Sequence, residues 1–61
     1  LIIMNLVNTW VLEVLSEPEF KYNFYFVKVK AIAEGSEFQT DIMVKTLEEA
    51  LSIKKDYKFL S

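Results

Sequence analysis

A chain of 61 residues makes one domain, spanning 1–61, near the lower limit for a self-sufficient core. It has no Cys and no His, which excludes disulfides and removes the commonest metal ligand. Seven Lys against nine acidic residues give a net charge of −2. With no Arg among them, there is no basic, bidentate surface for sequence-specific DNA.

The apolar start, Leu1 to Leu15, is interrupted by Asn5, Asn8 and Glu13 and is too short to span a bilayer. It also lacks the basic n-region of a secretory signal, so no membrane association is expected and the expected compartment is the cytoplasm. Within it, Leu6 to Leu15 is rich in Val and Leu and reads as a strand. The even positions Leu6, Trp10, Leu12 and Val14 make the better inner face, which leaves Val11, Glu13 and Leu15 outside. Trp10 is expected to anchor the core. Ser16-Glu17-Pro18-Glu19 is a turn, because Pro fixes φ and stops a ladder. The strand therefore folds back beside the next one, with Glu13 expected near Lys28.

The clearest signal follows. Two β-rich runs, Tyr22 to Ala33 and Ser36 to Thr46, flank Glu34-Gly35, a two-residue loop with Gly second. Pairing Ala33 with Ser36 puts Ala31/Phe38, Val29/Thr40, Val27/Ile42 and Tyr25/Val44 on one face. The other face then carries Lys30/Gln39, Lys28/Asp41, Phe26/Met43 and Phe24/Lys45. A slip of one residue would scramble both.

Thr46-x-x-Glu49 opens a helix as a capping box, each side chain meeting an orphan amide. Leu47, Ala50, Leu51 and Lys54 recur at helical spacing, with Ile53 widening the stripe. Glu48 and Glu49 in the first turn and Lys54 and Lys55 in the last complement the dipole. About nine residues of helix are expected, ending near Asp56. Tyr57 to Leu60 then alternates weakly and suits a short last strand. The predicted fold is α+β: an antiparallel three-stranded meander, one short C-terminal helix and that short last strand. A small SH3-like or OB-like barrel is the runner-up, and it would bury Trp10 and Tyr57 in a common core.

Catalysis has little to work with. His is absent, nothing surrounds the four Ser like a nucleophile elbow, and a single Gly cannot build a phosphate-cradling loop. Glu17 and Glu19 lack the supporting oxygens of a calcium loop. No enzyme, metal or cofactor is expected.

The informative feature is the second hairpin face. Tyr22, Phe24 and Phe26 alternate along one strand, followed by Lys28 and Lys30, with Met43 and Lys45 across from them. A short helix covers only one face of a sheet, so this second face needs another cover. Apolar residues make up 52% of the chain and aromatics 15%, more than one small core hides. The expectation is a homo-oligomer, most simply a twofold dimer, whose partner is another protein met at a sheet edge or at the aromatic face. The alternative is a sequestering protein for a small nucleotide or short oligonucleotide, stacking bases on the rings and meeting phosphates with Lys28, Lys30 or Lys45. In size and in its Lys-, Ile- and Phe-rich, Arg-free composition, the chain is similar to accessory products of AT-rich phages and mobile elements. That similarity implies inhibition or sequestration.

Overall fold

The computed structural model describes residues 7–60. Leu6, assigned above to the inner face of the first strand, lies outside the described residues. The order is β1 (Asn8–Val14), β2 (Glu19–Lys21), β3 (Phe24–Ala33), β4 (Ser36–Val44), α1 (Leu47–Leu51) and β5 (Lys58–Leu60). All five strands form one antiparallel sheet built around β3. On one side β3 carries β4; on the other it carries β1 along its C-terminal half and β2 at its N-terminal end. Strand β5 pairs with the far side of β1.

The β3–β4 register is the expected one throughout, from Ala33↔Ser36 to Tyr25↔Val44. Glu34 and Gly35 both have positive φ, 50° and 80°, the pattern of a type I′ loop whose twist matches the flanking strands. A second loop of the same kind joins β2 to β3. Tyr22 and Asn23 sit at φ 54° and 65°. The alternating run predicts β3 from Tyr22 onward; instead the chain reverses there, and Glu19–Lys21 form a strand that raises the count beyond a three-stranded meander.

Strand β1 corrects the expected facing. Thr9 and Val11 are fully buried, whereas Trp10 is 41% exposed on the opposite face. The cause is a register shift between Val11 and Glu13, where one extra residue, Leu12, enters the strand. The bulge inverts the alternation midway, so odd positions face inward before it and the even position Val14 joins the Val29 row after it. No single parity describes this strand. Glu13 consequently lies opposite Lys30, not Lys28. Lys28 is met from the β1–β2 link: its carbonyl accepts Leu15 N–H at 2.8 Å and its N–H donates to Ser16 Oγ at 3.1 Å. Ser16 thus bridges the gap that β3 would otherwise show between its two neighbours.

Helix α1 is shorter than expected. Thr46 Oγ1 accepts the Glu49 N–H at 3.1 Å, as a cap should. The Glu49 carboxylate accepts from the Thr46 hydroxyl at 3.1 Å, so the box closes between side chains. The Ser52 hydroxyl then donates to the Glu49 carbonyl at 2.6 Å and ends the helix. Lys54 and Lys55 lie beyond it and contribute nothing to its last turn. The segment is needed elsewhere: Asp56 N–H reaches the Val11 carbonyl at 2.8 Å and Val11 N–H the Tyr57 carbonyl at 2.9 Å, turning the chain into β5.

The core lies on one side of the sheet. Val11, Val27, Val29, Ala31, Ile42 and Val44 meet Ala50 and Ile53, with Tyr25, Phe38, Tyr57 and Phe59 packed around them. Leu47 and Leu51, placed on the helix stripe by spacing, are exposed. Burying an aliphatic side chain contributes roughly 1.5–3 kcal/mol, so a core this small leaves little margin once chain entropy is counted. The Cα dimensions, 33 × 27 × 15 Å, leave room for two layers only. Tyr57 packs on the core while Trp10 lies on the other face, and β4 and β5 do not pair. Among the described residues the sheet is open and no barrel closes.

Candidate functional site

The outer face is built by β3 and its neighbours. One row runs Glu19–Phe26–Met43, with Lys21–Phe24 beyond it. The next rows are Lys28–Asp41 and Glu13–Lys30–Gln39, and the last is Trp10–Ile32–Glu37. Two apolar ends are therefore separated by a charged belt. Phe24 and Phe26 are half-buried, Met43 is 56% exposed, and Lys45 is exposed just past β4. Met43 and Phe26 are direct neighbours, so four of the seven singled-out residues, Phe24, Phe26, Met43 and Lys45, gather at one end. Lys28 and Lys30 belong to the belt.

Tyr22 is not on this face. It occupies the first left-handed position of the β2–β3 loop and is 82% exposed, the highest of the large apolar residues described. Its expected alternation with Phe24 fails because the loop interrupts the strand.

Two aromatic rings are already in use. Lys21 Nζ sits 5.5 Å from the centre of the Phe26 ring while pairing with Glu19 at 3.1 Å. That carboxylate, through its hydrogen bond and its charge, raises the Lys21 pKa above the ordinary lysine value. Lys58 Nζ lies 5.5 Å from the Trp10 ring centre. Lys30 pairs with Glu37 at 3.2 Å. Asp41 is opposite Lys28 in register, but no ion pair within 4 Å joins them.

Two clefts flank this face. The first, about 390 Å³, lies between the β1–β2 link and β4 and holds Phe26 and Lys28 together with Glu17, Glu19, Lys21 and Asp41. Three carboxylates against two ammonium groups make it a poor seat for phosphate. The second, about 350 Å³, lies between β4 and β5 and is lined by Thr40, Ile42, Val44, Tyr57, Phe59 and Leu60 among others. Among the described residues no acidic side chains cluster closely enough to hold a metal, and no helix is long and apolar enough to cross a membrane.

Sequence reasoning missed Phe20, Ile32 and the β4–β5 cleft. Phe20 is exposed beside Tyr25, ring centres 4.9 Å apart, and would have been placed had Tyr22-Asn23 been read as a loop. Ile32 continues the Phe24, Phe26, Lys28, Lys30 alternation. The cleft has no local signal, because its walls lie far apart in sequence. Compared with protein-family models, curated proteins and solved structures, the chain shows no significant match to any of them.

Proposed function

We propose that this chain is a non-catalytic binding protein, an accessory or inhibitory factor that pairs with copies of itself through the aromatic end of the outer face and engages another protein. The observation that carries this reading is the Phe24, Phe26 and Met43 cluster, half-buried to exposed, on a sheet face that no described element covers. Helix α1 and the Ile53–Phe59 segment cover the opposite face. A second copy laid on the cluster would shield Met43 and complete the burial of both rings, with the charged belt as a polar rim.

The alternative, sequestration of a nucleotide, draws less support. The Phe26 ring face is taken by Lys21, and the cleft that contains Phe26 and Lys28 is net acidic. A nucleotide panel that raised the melting temperature would reverse that preference.

The test is sedimentation equilibrium of the wild-type chain and of Phe26→Lys, each checked for fold by circular dichroism. The wild type is expected as an oligomer at micromolar concentration and Phe26→Lys as a folded monomer. A wild-type chain that stays monomeric throughout that range would sink the reading.

A further inference from the structure

We propose that the seam between β4 and β5 accepts one extended, basic segment of a partner protein as an added strand. The inference deepens the binding reading by naming a second surface and its ligand class, and it does not depend on how copies pair.

Among the described residues, strand β4 has nothing paired to its outer edge. It pairs with β3 at every position from Ser36 to Val44, without a bulge, and contains no Pro. Natural edges of this length are usually interrupted by one of those devices. The two-residue loop makes Ala33 and Ser36 a hydrogen-bonded pair, so Ser36, Phe38, Thr40, Ile42 and Val44 bond to β3. The same parity is visible on β3, where Lys28 bonds away from β4, to Leu15 and Ser16. Glu37, Gln39, Asp41 and Met43 therefore aim their N–H and C=O groups outward. Among the described residues strand β5 is also paired on one side only, with β1. Both free edges border the same cleft of about 350 Å³. Its inner wall, Ile42, Val44, Tyr57 and Phe59, belongs to or packs on the core. A strand of about five residues spans Thr40 to Val44 at roughly 3.4 Å per residue.

Charge selects the occupant. Among the described residues the one formal charge on the cleft wall is Asp41, which faces Lys28 in register with no ion pair within 4 Å. Along β4 the belt-facing side chains are Glu37, already paired with Lys30, then Gln39 and Asp41, and the strand itself carries no cation before Lys45. The strand that β4 already accepts, β3, sets Val27 and Val29 opposite Ile42 and Thr40, and Lys28 opposite Asp41. The fitting segment therefore alternates β-branched residues toward the core with Lys or Arg toward solvent. A second copy fits worse. Its β4 would oppose carboxylate with carboxylate if centred on Asp41, and its β3 would occupy the place that β5 holds. A lone strand meets both edges at once.

The probe is a blocked synthetic peptide copying Tyr25 to Ala31, added to the intact chain and followed by amide hydrogen exchange. Slowed exchange at Gln39, Asp41 and Met43, with resonance shifts at Tyr57 and Phe59, is the expected result. Asp41→Asn should weaken binding about two- to fivefold, the range of an exposed ion pair. Replacing both peptide lysines by Glu should weaken it further. Gln39→Pro, whose N–H serves no β3 bond, should abolish binding while the fold persists. Phe26→Lys should leave it unchanged, which separates this proposal from oligomer formation. Shifts confined to Phe24 and Phe26, or equal binding of the Glu peptide, would overturn it. So would protection of the Gln39 and Asp41 amides in the dilute protein alone, or protection of those two that grows with protein concentration, since the chain or its copy would then fill the seam.

Discussion

Tyr22 holds a backbone conformation that its side chain does not favour. At φ 54° an L-residue brings Cβ against the following carbonyl, at roughly 1–2 kcal/mol, and bulky residues are rare there. Asn tolerates this region because its short amide bonds locally. Tyr22→Asn should therefore stabilise the fold by about 0.5–1 kcal/mol in urea denaturation. If the variant also loses affinity for a partner, the strained loop is retained to present the ring. Lys21, one residue earlier, has a raised pKa from its hydrogen bond to Glu19 and from that carboxylate's charge. A raised folded-state value means stability that is present in full below the unfolded lysine pKa and lost as pH climbs through the folded one. The stability difference between wild type and Lys21→Gln should thus be flat through neutral pH and shrink in the alkaline range. A difference that instead changed near neutrality would contradict the assignment.

Among the elements, β1 shows most clearly how position outweighs residue type. Trp10 would be the natural anchor of a small core, yet it lies on the outer face beside Ile32 and beneath Lys58. Its neighbour Val11 is fully buried and holds the chain with both backbone groups, to Asp56 and Tyr57. Trp10→Ala should accordingly cost no more than about 1 kcal/mol, far below the 3–5 kcal/mol of a core Trp. Val11→Ala, although a smaller deletion, should cost about 2 kcal/mol through the cavity it leaves. Thermal denaturation of the two variants orders them, and the reverse order would mean that the bulge is misplaced. The hairpin needed no such correction, since its loop chemistry and both of its faces agree on one register. Helix α1 did. Spacing alone cannot tell that Ile53 belongs to the core while the residues after it must turn back to β1.

For the molecule as a whole, two layers and a small core leave stability dependent on what covers the remaining face. If copies associate there, folding is linked to concentration by mass action. The melting temperature of the wild-type chain should rise with protein concentration, while that of Phe26→Lys should not. The same openness produces the seam: among the described residues β4 and β5 line one cleft without pairing. The fold thus offers a flat aromatic end and a linear edge, two surfaces with different chemistry.

Local chemistry in the chain was enough to determine the α+β class, the β3–β4 hairpin with its register, the Thr46 cap and the last strand. Each of these is decided by residues close in sequence: a Gly-bearing loop between alternating runs, or a hydroxyl three residues before a carboxylate. The tertiary structure alone decided the facing of Trp10, the exit of Tyr22 from the aromatic row, the halt of α1 and the cleft between β4 and β5. Those features depend on where the Ile53–Phe59 segment crosses the sheet, and on a single inserted residue at Leu12. A bulge inverts a strand's faces without altering its composition, and two strands far apart in sequence come to line one cleft only in the assembled fold.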